Sequence, residues 1–255
     1  MKYLFELLRD KNPELLVYSA ICLVGALSCW VMVNYSVTTV LGISAWIKPF
    51  KFFLSTAIFV LTMGFYTSYL DNQRQVEIYT WSMIVLFSIE LILITYQAAQ
   101  GKMSHFNVAT AIDQLIFNLM AVAITILMLH TLYVALLFFN QTQFDAPETL
   151  VLAIKLSLLV TVVFAFEGFA MGALLKHTVG STDGSPGLPV TNWSKHYGDL
   201  RVAHFFGMHA LQIIPLLAYL VAKTKREVVM IAALYLAFVT YTLLQALQGK
   251  PFIKL

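Results

Sequence analysis

The sequence predicts an all-α, polytopic membrane protein that forms a bundle of seven transmembrane helices. Its 255 residues are 60% hydrophobic and only 11% charged, whereas soluble domains are roughly 45–50% apolar. Mean hydropathy is +0.79. Seven apolar windows, separated by polar breaks, are each long enough to supply the roughly 20 residues that a membrane-spanning helix needs.

The windows cover residues 14–35, 50–70, 79–98, 108–138, 149–175, 200–222 and 227–248. Little chain remains outside them, so residues 1–255 are predicted to form a single seven-helix transmembrane domain. Its first partner is then the lipid bilayer, and the composition gives no reason to expect a nucleic acid.

The first window is expected to be a true span. It is too long for the core of a signal peptide, and no small-residue cleavage site follows it, so we expect Met1 to remain the N-terminus. Cys22 and Cys29 lie about 10 Å apart along this helix, too far for a disulfide. Their expected role is packing.

The second and third windows contain charged side chains. The second opens with "WIKPFKFFLS", in which Pro49 suits a first helical turn and Lys48 and Lys51 make that end cationic. Glu90 lies in the middle of the third window. An ionisable group inside a span costs about 2.5–3.5 kcal/mol on insertion scales, so it usually faces a bundle interior or a cavity. Glu90 is therefore a candidate proton carrier or a carboxyl paired within the bundle.

The fourth window begins with polar residues, in "SHFNVATAIDQLIFN". Ser104 or Asn107 is expected to be its N-cap, and His105 lies at the top of the helix. Asp113 follows within the apolar part and is a candidate metal ligand. A polar stripe continues down this window through Asn107, Thr110, Gln114 and Asn118. Further along, His130 is expected to be a hydrogen-bonded structural residue.

The fifth window ends with "FEGFAMGALLKH", which places Glu167 next to Gly168. A small residue here allows either close helix packing or the approach of a flat ligand. Glu167 is itself a candidate site residue, the alternative being a carboxyl paired inside the bundle.

The sixth window opens with "GDLRVAHFFGMHALQ". His204 and His209 are five residues apart and point about 140° from each other, so they cannot both bind one small ion as an i, i+4 pair would. Gln212 shares the polar sector of the helix. Arg201 is a candidate ligand-binding cation, or it forms an ion pair with Asp199 at the helix start.

An odd number of spans places the two chain termini on opposite sides, and the connections then divide unequally. One side holds short, ordinary linkers. The other holds "QGKMSHFN" and the long segment 176–200, with His177 and His196 expected to be solvated. The positive-inside rule is weak here, but the compact "KTKRE" turn and the basic start favour a cytoplasmic N-terminus in the inner (cytoplasmic) membrane. The motif-bearing face is then periplasmic or extracellular.

Three resemblances follow from these motifs. "GKMSHFNVAT" together with "DLRVAHFFGMHALQ" resembles a pair of motifs in an uncharacterised family of bacterial seven-span membrane proteins, which implies no established activity. "DLRVAHF" is similar to the haem-binding segment of haem-copper oxidases, and that resemblance implies haem ligation by His204. The family's next histidine follows two residues later, where this chain has Phe206.

The third resemblance is to seven-span zinc hydrolases of the adiponectin-receptor and alkaline-ceramidase group, which use a Ser, an Asp and three His. The matching residue types here are Ser104, His105, Asp113, His204 and His209. The spacing departs from that family, whose last two histidines lie four residues apart on one face.

These observations leave three hypotheses. The first is a membrane redox protein that binds haem b, or copper or zinc as alternatives, with a redox partner or quinone. Its cofactor-binding residues would be His105, His204, His209, Arg201, Glu167 and Gln212, and a metal would use His105, His204, His209 and Asp113. The second is a zinc-dependent membrane hydrolase. The third is a proton-coupled small-molecule transporter or ligand sensor, with Glu90 and Glu167 as proton carriers.

Overall fold

The computed structural model describes residues 2–254, with side chains from residue 5 onward. Within this range the chain forms eight helices and two short antiparallel ribbons. It falls into two compact units, Met1–His130 and Thr131–Leu255.

The first unit contains four complete helices and the start of a fifth. They are α1 (Lys2–Lys11), α2 (Pro13–Tyr35), α3 (Ile47–Thr67), α4 (Gln73–Ala99) and α5 (Ala111–Asn140), with β1 (Thr39–Val40) paired to β2 (Ile43–Ser44) between α2 and α3. Helix α3 packs on α2 and α4. Cys22 and Cys29 are buried free thiols, as expected.

The second unit contains the rest of α5 and three further helices. They are α6 (Glu148–Leu174), α7 (Leu200–Val221) and α8 (Lys225–Leu247), which all pack on one another. The segment between α6 and α7 carries β3 (Thr178–Val179), which pairs with β4 (Gly198–Asp199). Alanine and branched aliphatic side chains dominate the buried core of this unit.

Seven helices of the described chain, α2 to α8, are long and apolar enough to cross a membrane. The predicted fold class is therefore confirmed, and the protein is an integral, multi-pass membrane protein. Each predicted window falls on one of these helices.

The helix boundaries differ from the windows where polar residues are helical. Helix α4 begins at Gln73 rather than residue 79, because the Asn72 side chain accepts a hydrogen bond from the Gln75 N–H at 3.3 Å and caps the helix. Helix α1 lies outside every window, because charged residues lower its hydropathy. It packs through the buried Leu8 side chain, which lies against Gly64 of α3.

The expected N-cap of the fourth window is wrong. Helix α5 begins at Ala111, and the Thr110 hydroxyl accepts the Asp113 N–H at 3.1 Å, which is the capping interaction. Asn107 instead closes a tight turn by accepting the Ala109 N–H at 3.1 Å. Ser104 precedes this turn, and its hydroxyl lies 3.1 Å from the His105 Nδ1 atom.

Candidate functional site

Glu167 and His204 form the best-defined candidate site, on the two antiparallel helices α6 and α7. Glu167 lies about 10 Å from the end of α6, and His204 about 6 Å from the start of α7, by helical rise. The imidazole Nδ1 is 3.4 Å from the Glu167 Oε2 atom. The side chain of Glu167 is 8% exposed and that of His204 is 34% exposed. The sequence names these two residues as separate candidates, and the structure brings them together.

The Glu167 carboxylate is buried without a hydrogen bond. Neither oxygen, nor the facing Nδ1 of His204, has a hydrogen-bond partner among residues 2–254. A charge-assisted N–H···O bond is about 2.7–2.9 Å long, so the 3.4 Å separation is too long for one. Buried polar groups are nearly always hydrogen-bonded. This pair is therefore an exception that calls for a functional explanation.

Gly168 leaves space for the imidazole of His204 to pack against α6. A Cβ atom at position 168 would lie 3.1 Å from the His204 Cε1 atom, closer than ordinary packing allows. A larger residue at position 168 would require the His204 ring to shift. The glycine therefore serves close packing, and the packed group is the imidazole.

His209 lies in different surroundings from His204. Its Nδ1 is 3.2 Å from the Gln212 Oε1 atom, and its ring lies 4.4 Å, centroid to centroid, from Phe205. For both His204 and His209, the Nε2 atom makes no hydrogen bond to any residue within the described range. The two histidines thus present two separately oriented imidazoles, as their 140° divergence predicts.

Arg201 and Asp199 hold the α6–α7 segment to the start of α7. Asp199 is the N-cap of α7. It accepts from the Arg201 Nε at 2.9 Å and from Nη2 at 2.6 Å, and from the Ser194 N–H at 2.9 Å. Arg201 also donates to the Asn192 carbonyl. Sequence analysis gave two alternatives to ligand binding by Arg201, and both are present. Arg201 forms an ion pair with Asp199, and Asp199 caps the start of α7.

The contacts of Asp199 with Arg201 and Ser194 also affect the pKa of its carboxyl. Burial alone would raise the pKa of the carboxyl, but the hydrogen bonds and charge of Arg201 and the Ser194 N–H outweigh it and hold the pKa of Asp199 below its usual range. His177 is not simply solvated, because its Nδ1 lies 3.2 Å from Asp183 and 3.9 Å from Asp199. His196 is exposed, as expected.

The predicted residues of the first unit form a separate polar cluster around Asp113. Its carboxylate is 1% exposed and accepts from Gln97 Nε2 at 3.0 Å, Thr110 Oγ1 at 2.7 Å and Lys102 Nζ at 3.2 Å. Every oxygen of Asp113 is thus occupied by donors.

His105 and Glu90 complete the predicted set in the first unit. The His105 Nδ1 lies 3.1 Å from the Ser104 hydroxyl, and its ring packs beside Phe52 with centroids 5.7 Å apart. Glu90 is 5% exposed. Its Oε2 atom is buried and has no hydrogen-bond partner in the described part of the chain.

Sequence reasoning missed Gln97, Lys102 and Asp183 as partners of the polar candidates. Gln97 is seven residues from Glu90 and so lies on the same face of α4, which is the signal that could have found it. Within residues 2–254, no group of three or more His, Cys, Asp or Glu side chains is placed to hold a metal ion.

Comparison with known proteins gives no relative. No family description, no curated protein and no solved structure matches the chain. The fold and the site define it as an integral membrane protein, with seven helices in the described chain that are able to span a membrane and a buried carboxylate beside a partly exposed imidazole on α6 and α7.

Proposed function

We propose that the protein is a membrane redox protein that binds haem b through His204. The observation that supports this most is the Glu167 carboxylate, which faces Nδ1 of His204, while Nε2 makes no hydrogen bond to a described residue. Histidines that bind metals usually have their other ring nitrogen oriented by a carboxylate or carbonyl, which fixes the tautomer and raises the basicity of the ligand.

The donor set suits haem because a haem iron takes only one or two axial ligands from protein. A single well-oriented imidazole is therefore sufficient to bind the iron of a haem. His209 is a second imidazole with the same arrangement, since Gln212 faces its Nδ1. His105 stays a predicted ligand in the first unit.

The surrounding residues also fit a bound tetrapyrrole. Gly168 leaves room for the His204 ring against α6. Arg201 is 26% exposed and uses Nε and Nη2 on Asp199, while Nη1 has no partner in the described range. That N–H group is available to a propionate carboxylate.

Haem, when bound, supplies one-electron chemistry. The chain's own contribution is electrostatic. The buried Glu167 carboxylate holds the imidazole and favours the more positive oxidation state of whatever His204 binds. We therefore expect Glu167→Gln to raise the midpoint potential.

An absorption spectrum of detergent-purified protein, oxidised and dithionite-reduced, tests the proposal. The protein is expressed with ample haem, and we expect a Soret band and reduced α and β bands that are lost in His204→Ala. His196→Ala is the matched control, because that imidazole is exposed and should leave the spectrum unchanged. A colourless protein after haem supplementation would refute haem binding.

Metal analysis of the same sample tests copper and zinc. Of the residues that the sequence predicts as metal ligands, His204 and His209 lie in the second unit, whereas His105 and Asp113 lie in the first. Stoichiometric copper lost in His204→Ala would assign the site to a metal rather than haem. Stoichiometric zinc would favour the hydrolase hypothesis, which needs three protein ligands and a bound water.

Glu90 supports a second candidate function, a proton-coupled transporter or ligand sensor. Two carboxyls in membrane-spanning helices, Glu90 and Glu167, each have a buried oxygen without a hydrogen-bond partner among the described residues. Such groups commonly carry protons in transporters. Proton flux into reconstituted vesicles under an imposed pH gradient should then fall in Glu90→Gln. Glu148→Gln is the control, since Glu148 is exposed and paired with Lys225.

We further propose that the α6–α7 segment faces away from the cytoplasm in the inner membrane, where it meets a redox partner or quinone. Both native cysteines are buried, which favours single-cysteine labelling. A membrane-impermeant maleimide should label Thr182→Cys in intact cells or spheroplasts but not Thr142→Cys, which follows α5 at the opposite end. The reverse pattern would invert the orientation.

A further inference from the structure

A groove on the first unit runs between α4 and α5, and it uses none of the residues proposed to bind haem. Its volume is about 680 Å³, and it is lined by Arg74, Glu77, Ile78, Trp81, Ser82, Val85, Leu86 and Ile126. All of these residues except Ile126 lie on α4. The groove therefore follows one face of a single membrane-spanning helix.

The groove has the length of one bilayer leaflet. From residue 74 to residue 86 the helix rises about 18 Å, and half of the hydrocarbon core is about 15 Å. Its apolar side chains are accessible, with Trp81 52%, Val85 53% and Ile126 49% exposed. An acyl chain of one leaflet can lie along this face.

The mouth of the groove carries one positive and one negative charge. Arg74 is the second residue of α4, and Glu77 follows within one turn. Both side chains are exposed. Neither makes an ion pair or hydrogen bond to another residue within 2–254. Two opposite charges thus lie within one helical turn of each other at this end of α4, and no other described side chain binds either of them.

We propose that this groove binds a phospholipid with a zwitterionic phosphoethanolamine headgroup. The phosphate pairs with the Arg74 guanidinium, whose planar N–H groups match phosphate oxygens. The primary ammonium pairs with the Glu77 carboxylate, and one acyl chain follows Ile78 and Val85. An anionic phosphatidylglycerol satisfies Arg74 but offers Glu77 no cation. The charge pair therefore selects the zwitterionic lipid over the anionic one.

Trp81 provides the measurement, because bromine on an acyl chain quenches tryptophan fluorescence on contact. The protein is reconstituted in phosphatidylcholine bilayers with equal fractions of brominated phosphatidylethanolamine or brominated phosphatidylglycerol. The Trp81 signal is the difference between the protein and its Trp81→Phe variant. One well-placed charge contact at the membrane surface is worth about fivefold in binding. We expect phosphatidylethanolamine to quench Trp81 at about fivefold lower concentration than phosphatidylglycerol.

Three substitutions test the assignment of charges. Glu77→Gln should abolish the preference between the two lipids, and Arg74→Gln should weaken phosphatidylethanolamine about fivefold. Arg226→Gln is the matched control, because Arg226 is also the exposed second residue of a spanning helix and has no partner within the described range. It should change nothing.

The proposal fails if the two lipids quench Trp81 equally, or if phosphatidylglycerol is preferred in the unsubstituted protein. It also fails if Arg226→Gln has the same effect as Arg74→Gln, since the charge effect would then be general. None of these readouts depends on haem, so this test and the spectroscopic test of His204 can fail separately.

Discussion

Asp113 in the first unit and Glu167 in the second are both buried carboxylates in membrane-spanning helices, yet their surroundings are opposite. Asp113 accepts from an amide, a hydroxyl and an ammonium group within 2.7–3.2 Å. Glu167 accepts no hydrogen bond from the described residues and has only the imidazole of His204 at 3.4 Å.

The difference separates a structural carboxylate from a functional candidate. A satisfied buried group stabilises the fold, and its removal leaves its partners unpaired at a cost of about 1–3 kcal/mol for a neutral group. An unsatisfied one is costly in the resting protein, so its retention indicates a use. The predictions below separate the two cases by stability and by ligand binding.

The largest expected effect is on stability, at Asp113. Asp113→Ala leaves the buried Gln97 amide without its acceptor and frees the Thr110 hydroxyl, so we expect Tm in detergent to fall by about 6 °C. Gln114→Ala is the control, because that side chain is exposed. A Tm within about 1 °C of the parent protein would show that the Asp113 network is not stabilising.

Asp199 is the second satisfied carboxylate, and its effect depends on pH. Its pKa is lowered in the folded protein, so the unfolded chain takes up the proton first, near the ordinary value of about 3.9. The stability contribution is present above that value and is lost as pH falls through the folded pKa. We expect Tm to drop steeply below about pH 4.

Thermal unfolding between about pH 3 and pH 6 checks this sign. The Asp199→Asn variant should be about 4 °C less stable at neutral pH and should lose part of the acid dependence. An acid profile identical to that of the parent protein would show that other carboxylates, such as Asp183, dominate.

Lys102 should contribute less than its short distance to Asp113 suggests. Its side chain is 40% exposed, and exposed ion pairs are worth about 0–1 kcal/mol. We expect Lys102→Gln to lower Tm by less than about 2 °C. A fall as large as that of Asp113→Ala would mean that the ion pair, rather than the hydrogen bonds from Gln97 and Thr110, stabilises the cluster.

The smallest effect on stability is expected at Glu167. Glu167 accepts no hydrogen bond from a described residue, so Glu167→Gln breaks none and Tm should stay the same or rise. Haem or metal affinity should instead fall about tenfold, as substitutions of such orienting partners do. Titration of haem into the apo-protein measures this. A large loss of stability with unchanged affinity would reverse the roles of Glu167 and Asp113.

The fold could be predicted because hydrophobic length is a strong signal. All seven spanning helices follow from apolar windows. The predicted helices and boundaries are wrong where polar or charged residues are helical, because hydropathy does not detect such residues. Helix α1 is short and charged, and the first turn of α4 is polar, with a start defined by the Asn72 cap. Sequence hydropathy reports the lipid-facing and buried surface, whereas caps and short surface helices depend on individual hydrogen bonds.

The candidate site could be predicted only in part. The sequence predicted Glu167 and His204 as candidate residues, but it did not show that they are neighbours. Whether they face each other depends on the rotation of α7 against α6, and Gly207 determines that rotation because a Cβ there would collide with Phe164. The partners of Asp113 depend on the turn after α4, where Gly101 has φ of +68°. Neither the close approach at Gly207 nor the turn at Gly101 produces a periodic hydrophobic pattern in the sequence.

Gly198 of β4 has a consequence for the order in which the protein is made. A Cβ at this position would collide with the backbone of Ala246 in the last turn of α8, and Trp193 packs on Phe252 beyond that helix, with ring centroids 5.9 Å apart. The segment between α6 and α7 therefore rests on residues that the ribosome adds about fifty positions later, at roughly 5–20 residues per second. The packing of this segment on α8 can therefore form only after α8 has been synthesised, seconds after the segment itself.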